Sequence, residues 1–515
     1  MRHERKKKKE CFQDMDQIVI DFSRSRGVIS PELYGHFSEH IGGVFYDGLW
    51  VGEDSPVDNI HGFRKALVDS FKKIAPPVLR WPGGCFAETY DWRDGIGPRK
   101  SRPTRVNWWY YHDHRMESNQ VGTHEFMDLC RLVGAEPYIA ANMTATTPLH
   151  IRDWIEYCNF PRDATTLTRE RAANGDAEPF GVRYWGIGNE NWGGGGQMSP
   201  EMCAREYIRY TTIFRSLDTS SLRLILCGAN GRDLDWTRRL MKEWADRPWH
   251  EVPTWGVSFH YYTDWSHGHD ELVFKDEEQW YDELFRADRM REVIDAHRLM
   301  MDEFDPQRKL KMVVDEWGNW HVEGTGPSKG CNLFEQQSNL RDAAVAALTL
   351  NIFNNRCDVV GMANLAQLVN NLHSLYLAGG GNFVETPNYH VFAMYMGHQG
   401  GRQLETNVSA RTLEHERYDP LSTLSCSASV KDGSLTVTLA NLDLTTAKDV
   451  RLTGLGGAVT GKGQLTILSH ADPLTCNTFE QPDAVAPVTA NIDFADGGSI
   501  RLPAASVAAL TIKLA

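Results

Sequence analysis

Along the first three quarters of the chain, short apolar runs alternate with longer stretches in which apolar residues return every three or four positions. The runs cover residues 31–37, 78–81, 137–142, 182–188, 222–227, 255–261, 311–317 and 359–366. They are short and mostly apolar on both phases, the pattern of strands buried on both faces of a parallel sheet. The stretches between them predict helices over 60–74, 122–133, 148–157, 199–217, 236–245, 285–304, 339–357 and 387–397, several opened by a capping residue or a proline. Eight strand-plus-helix units predict a closed (β/α)8 TIM barrel over residues 27–398, since an open doubly wound sheet usually stops sooner.

After Gly400 the pattern changes. Residues 423–430, 434–440, 450–453, 464–468 and 507–514 alternate or are rich in β-formers, with Gly, Asp and Asn turns between them. They predict a β-sandwich, jelly-roll-like, over 399–515. Residues 17–22 also form a strand pattern but have no partner in the barrel, so residues 16–26 are expected to add a strand to the sandwich.

Composition narrows the function classes. A chain of 515 residues exceeds what one core usually supports, in agreement with two domains. With 41% hydrophobic and 24% charged residues it reads as globular, and a net charge of -14 argues against nucleic-acid binding. Ten scattered cysteines suggest no disulfide framework. Residues 1–15 are basic, lack the apolar core of a signal peptide, and are expected to be a disordered tail. No run of 18 apolar residues occurs, so a cytoplasmic protein with no membrane partner is expected.

Candidate chemistry sits at the strand ends, which line the active mouth of a barrel. They carry Glu39 and His40, Arg80 and Cys85, Asn142, Asn189 and Glu190, His260 and Tyr262, Glu316 and Trp317, and Gln367. Amides and carboxylates suit sugar hydroxyls, and indoles suit the apolar faces of a sugar ring. Two glutamates at strand ends are what acid/base catalysis followed by carboxylate attack requires. Arg80 would hold a nucleophilic carboxylate ionised against the effect of burial.

Other readings of these residues stand beside that one. Glu190 could cap a helix, Glu316 could pair structurally with Arg80, and His260, Cys85, Asn189 and Gln367 could be buried scaffold. His260, His267, His269 and Asp270, or His112, Asp113 and His114, could hold a cation, though neither group has the spacing of a known zinc motif. A Cys85–His260 nucleophile pair is a further alternative. The glycines at 193–196 do not form a dinucleotide-binding fingerprint.

Six segments together resemble glycoside hydrolase family 51, the α-L-arabinofuranosidases: 34–42 (YGHFSEHIG), 79–86 (LRWPGGCF) with 90–98 (YDWRDGIGP), 136–140 (EPYIA), 184–193 (YWGIGNENWG), 315–317 (DEW) and 363–367 (ANLAQ). The resemblance runs from about Gln17 to the last strand. It implies a barrel joined to a β-sandwich, retaining hydrolysis, no cofactor or metal, an oligosaccharide substrate and a homo-oligomer, often a hexamer. It also implies Glu190 as acid/base and Glu316 as nucleophile, with Glu39, Arg80, Cys85, Asn189, His260, Tyr262, Trp317 and Gln367 around the arabinofuranosyl ring and Trp109 on the leaving-group rim. Some family members cut xylan or β-glucan internally, an alternative the motifs leave open. The segment 42–48 lacks an arginine usual in the family, and 193–196 lacks a cysteine often found there. Both departures bear on aglycone contacts and linkage preference rather than on the catalytic pair.

Overall fold

The computed structural model describes residues 16–247, 254–263, 276–322, 324–328 and 332–514. The expected tail 1–15 and the candidates His267, His269 and Asp270 lie outside these residues. β1 (Asp16–Asp21) comes first, followed by eight parallel strands that close into a barrel: β2 (Gly35–Phe37), β3 (Val78–Trp81), β4 (Glu136–Ala141), β5 (Tyr184–Ile187), β6 (Arg223–Leu226), β7 (Thr254–Tyr262), β8 (Lys311–Gly318) and β9 (Val360–Ala366), with β9 pairing back to β2. Val78, Tyr138, Tyr184, Ile225, Val313 and Met362 fill its interior. The polar mouth therefore stands on a packed floor rather than over a channel.

The flanking helices are α1 (Lys65–Lys73), α2 (Thr123–Val133), α3 (Pro148–Asn159), α4 (Thr166–Ala173), α5 (Pro200–Phe214), α6 (Leu234–Ala245), α7 (Glu277–Asp302), α8 (Leu340–Asn355) and α9 (Pro387–Tyr395). Thr147, Ser199, Asp233 and Asp276 cap α3, α5, α6 and α7 by accepting from backbone N–H groups of the first turn. Three expectations change. Residues 31–34 form a 3-10 turn opened by Pro31, which leaves only Gly35–Phe37 as strand. Residues 59–64 form a hairpin through His61 and Gly62, both with positive φ, so the helix starts at Lys65. The Asp276 cap starts α7 eight residues ahead of the expected position.

The C-terminal strands are β10 (Arg402–Ser409), β11 (Leu424–Lys431), β12 (Ser434–Asn441), β13 (Lys448–Leu455), β14 (Gly461–Leu468), β15 (Val488–Phe494), β16 (Ser499–Leu502) and β17 (Ser506–Lys513). With β1 they form a nine-stranded sheet in the order β15-β14-β17-β12-β11-β10-β1-β13-β16. β1 runs antiparallel to β10 and parallel to β13. Ile18, Ile20, Leu404, Leu439, Leu452, Leu502 and Leu510 share one apolar core, so the two halves of the sheet face each other. Helix α8 is buried on all sides because this domain covers its outer face. Asn351 accepts from Ser427 and Thr438 at 2.8 Å each, and Asn354 donates to Ser427 at 3.0 Å.

Candidate active site

Barrel geometry brings the two strand-end glutamates together. Glu190 follows β5, and Glu316 lies near the end of β8. The pairing of β8 with β7 slips between Ser258–Val313 and His260–Glu316, which places an extra residue in β8. Such a bulge re-aims side chains. Here it turns both Asp315 and Glu316 into the mouth and Trp317 away from it. The Trp317 ring, 1% exposed, packs against Phe353, His373 and Phe392. Its expected role at the sugar is therefore corrected: Trp317 is core.

Arg80, buried at the end of β3, organises the floor of the site. It donates to Glu316 Oε1 at 2.7 Å, to Asn189 Oδ1 at 2.6 Å and to the Asp315 carbonyl at 3.3 Å. Its guanidinium lies 4.5 Å from the centre of the Phe37 ring. Tyr262 donates to Glu316 Oε2 at 2.8 Å, so both oxygens of this carboxylate accept hydrogen bonds. Gly84 closes over it, since a Cβ there would stand 2.8 Å from Glu316 Oε1. His260 bridges the pair: Nδ1 is 2.8 Å from Glu190 Oε1 and 3.4 Å from Glu316 Oε2, and Nε2 is 3.1 Å from Asp315 Oδ1. Tyr138, reaching up from β4, donates to Asp315 Oδ2 at 2.9 Å.

Electrostatics follow from this packing. Burial pulls His260 toward neutrality, but the carboxylates of Glu316, Asp315 and Glu190 outweigh it and hold the imidazole well above its ordinary value. Burial also pushes Asp315 up, and Arg80 and His260 reverse the direction, so it stays below the usual carboxylate range. For Glu316 burial wins: His260 and Arg80 pull it down, Glu190 adds to the rise, and the net direction is upward. Arg80, expected to hold a nucleophilic carboxylate ionised against burial, works against that rise together with His260. It orients the group and moderates the rise without reversing it.

A second part of the mouth is built around Glu39. Its Oε1 accepts from Phe86 N at 2.9 Å and Trp109 Nε1 at 3.1 Å, and Oε2 accepts from Gln367 Nε2 at 3.2 Å. Gln367 Oε1 accepts from Glu39 N at 3.0 Å, which locks the two side chains together. Burial and the nearby Glu316 charge push Glu39 up to about 7. Trp109 meets Phe334 edge-on at 5.8 Å, and Trp320 links Phe334 to Tyr262, giving the rim an aromatic arc. Cys85 directs its thiol to Glu190 Oε2 at 3.5 Å, and burial raises it well above the ordinary thiol value, so it is no thiolate nucleophile. The nitrogens of His260 face carboxylates rather than Cys85, which removes the Cys–His alternative.

Two strand-end residues serve the scaffold instead of the mouth. His40 stacks on Phe45, accepts from Trp81 Nε1 at 3.0 Å and lies 3.0 Å from Glu117. Asn142 caps its own turn by accepting from Thr144 N and Ala145 N. Sequence reasoning missed Asp315, Tyr138 and Glu88. Strict alternation hides Asp315 beside Glu316, Tyr138 reads as an ordinary core aromatic, and Glu88 falls in a turn with no periodic signal.

Among the described residues, Glu190, His260 and Glu316 are the one group of His, Cys, Asp and Glu side chains placed to share a cation, with ligand atoms within 4.8 Å of one another. Those atoms already contact each other, Arg80 and Tyr262, so the charges of the group are paired within the protein. His112 and His114 join no such group among the described residues; they pack against Trp109 and Tyr110.

Comparison with known proteins agrees with this geometry. The α-L-arabinofuranosidase 1 domain matches residues 70–268, and the α-L-arabinofuranosidase C-terminal domain matches residues 315–506. An intracellular exo-α-L-arabinofuranosidase of Bacteroides ovatus is 36% identical over 96% of this chain and 95% of its own. The crystal structure of the GH51 arabinofuranosidase from Xanthomonas axonopodis pv. citri superimposes with a TM-score of 0.89 at 37% identity, covering 97% of this chain and 99% of that one. The arabinose complex of α-L-arabinofuranosidase from Thermotoga maritima does so at 0.85 and 29%, covering 97% and 100%. With its barrel, its C-terminal strand domain and relatives matched along nearly the whole length, this chain belongs to glycoside hydrolase family 51, the α-L-arabinofuranosidases.

Proposed function

We propose that the protein is a retaining, exo-acting α-L-arabinofuranosidase that releases terminal non-reducing arabinofuranosyl residues from arabino- and arabinoxylo-oligosaccharides by double displacement. The observation that carries this reading is the approach of Glu190 and Glu316, whose facing oxygens lie within 4.8 Å. Retaining enzymes hold their carboxyl groups about 5–5.5 Å apart, whereas inverting enzymes need roughly 6.5–9.5 Å to admit a water.

In the first step protonated Glu190 gives its proton to the glycosidic oxygen while Glu316 attacks the anomeric carbon; the carbon–oxygen bond breaks and a glycosyl ester of Glu316 forms. Arg80 and Tyr262 aim the attacking carboxylate. Having given up its proton in the first step, Glu190 is the base for the second. Glu190 then takes a proton from water, which opens the ester with net retention. Glu39, Asn189 and Gln367 supply directional partners for the hydroxyls of the ring, and contacts that tighten as the ring approaches its oxocarbenium-like state lower the barrier.

The test is to hydrolyse an aryl α-L-arabinofuranoside in the presence of methanol and follow the anomeric signals by proton NMR. The methyl arabinofuranoside and the first-formed arabinose should have the starting configuration; inversion would overturn the mechanism. Digestion of defined arabino-, xylo- and gluco-oligosaccharides should yield single arabinose units. Internal cleavage of unsubstituted xylo- or gluco-oligosaccharides without arabinose release would overturn the exo assignment. We further propose a cytoplasmic homo-oligomer that meets imported fragments rather than intact polymer, to be checked by light scattering and cell fractionation. No helix among the described residues is long and apolar enough to cross a membrane.

A further inference from the structure

Glu88 is a buried carboxylate that the proposed mechanism does not use. It lies in the 3-10 turn Cys85–Thr89 after β3 and is 0% exposed. Its oxygens face N–H groups: Oε1 accepts from Asn189 N at 2.6 Å and from Asn191 Nδ2 at 3.5 Å, and Oε2 accepts from Met143 N at 3.0 Å and Thr144 N at 2.9 Å. A buried carboxyl group needs such partners, since its oxygens cannot be left unbonded away from water. The donors come from two strand ends, those of β4 and β5, and two of them flank Glu190 in sequence.

Glu190 itself has φ +44°. A residue with a side chain holds this left-handed conformation only where its surroundings impose it. Glu88 bonds the backbone of the residue before Glu190 and the side chain of the residue after it. From the same turn, Cys85 touches the Glu190 carboxyl at 3.5 Å. One five-residue turn thus holds the backbone N–H of Asn189 and the side chain of Asn191, on either side of Glu190, and touches the carboxyl group that Glu190 carries.

We propose that Glu88 is a positioning residue for the acid/base: it holds the Asn189–Glu190–Asn191 turn in the one conformation that points the Glu190 carboxyl at the leaving-group oxygen. It has no route to substrate, being fully buried behind that turn. The inference rests on the reading of Glu190 as acid/base, and it gives the buried carboxylate a kinetic signature that a general scaffold role lacks. If the turn relaxes, proton donation suffers while the attack by Glu316, held from β3 and β7, does not.

The experiment compares wild type, Glu88→Gln and Glu190→Ala on aryl arabinofuranosides whose leaving groups span a range of acidity, with and without azide. Gln presents an NH2 group to at least one N–H donor, so the clamp opens while the side-chain volume is kept. Glu88→Gln should lose about 10²-fold in kcat/KM on the poorest leaving groups, as expected for a misplaced catalytic group, and only a few-fold on the best. Its dependence on leaving-group acidity should become steeper, toward that of Glu190→Ala. Circular dichroism and thermal melting establish that the variant is folded. Where Glu88→Gln does not fold, Glu88→Asp, which keeps the carboxyl group but withdraws it by one methylene, is read in the same way. A uniform loss across leaving groups, or no loss, overturns the proposal. If Glu190→Ala is steep and the Glu88 variant flat, Glu88 alone is misassigned; if Glu190→Ala is itself flat, the acid/base reading fails first.

Discussion

Arg80 reaches Glu316 at 2.7 Å from a strand three places round the barrel, and its second amino group reaches Asn189 at 2.6 Å. This fork is bidentate across two different partners, which lysine cannot reproduce. Arg80→Lys should keep the charge but release Asn189, and kcat should fall by about 10²-fold with a smaller change in KM. Arg80→Met takes the guanidinium from buried Glu316 and Asp315, which keep His260 as counter-charge, and loss of about 3–5 kcal/mol of stability is expected from such half-broken pairs. Urea unfolding of the folded variants checks the second figure, and an unchanged kcat in Arg80→Lys would refute the first.

The two glutamates should fail in different ways. Glu316→Ala removes the nucleophile, so turnover should be lost for activated and natural substrates alike. Glu190→Ala should retain much of its first-step rate on nitrophenyl arabinofuranosides, because a good leaving group needs little protonation, and azide should accelerate its second step. Arabinose release by Glu316→Ala at the wild-type rate would sink the nucleophile assignment.

Activity should survive dialysis against EDTA and should not rise on adding zinc or calcium. The argument is one of donors: in the one cluster of ligand atoms among the described residues, Glu316 already accepts from Arg80 and Tyr262, and Glu190 is paired with His260. A cation there would have to displace a guanidinium held between two anions. Loss of activity on chelation that zinc or calcium restores would count against this account.

The barrel was legible because parallel strands buried on both faces leave compact apolar runs, and all eight runs overlap observed strands. Exposed sheet strands are harder to see. β15, which reads VTANIDF, alternates apolar and polar residues, but it is largely solvent-facing, lies after a long turn-rich stretch and falls outside the five runs read after Gly400. At the site, residue types at strand ends identified most of the mouth, including the locked pair Glu39 and Gln367. Trp317 failed because a bulge, which depends on pairing between strands, decides which neighbour faces inward. Glu88 and Tyr138 failed for a related reason: their partners lie 101 and 177 residues away, and nothing local marks a carboxylate that will meet Asn189 or a phenol that will meet Asp315.

Glu39 and Glu88 make stability depend on pH in a direction opposite to that of a salt-bridged carboxylate. Burial pushes both up to about 7, from an ordinary value of 4.5. Between those values the folded protein binds protons that the unfolded chain has released, so the stabilising difference is fully present below about 4.5 and is lost as pH rises through about 7. A shift of this size corresponds to roughly 3 kcal/mol for each group. Glu39→Gln removes one of them while keeping the shape, so its stability relative to wild type should improve as the buffer is taken from pH 5 to pH 7.5. The same variant should bind arabinose more weakly, because the amide puts an N–H group against Phe86 N, Trp109 Nε1 or Gln367 Nε2. Urea titrations of both proteins across that range measure the difference directly. A constant gap between them, or one that moves the other way, would mean that Glu39 is already ionised at pH 5 and that its three donors outweigh its burial.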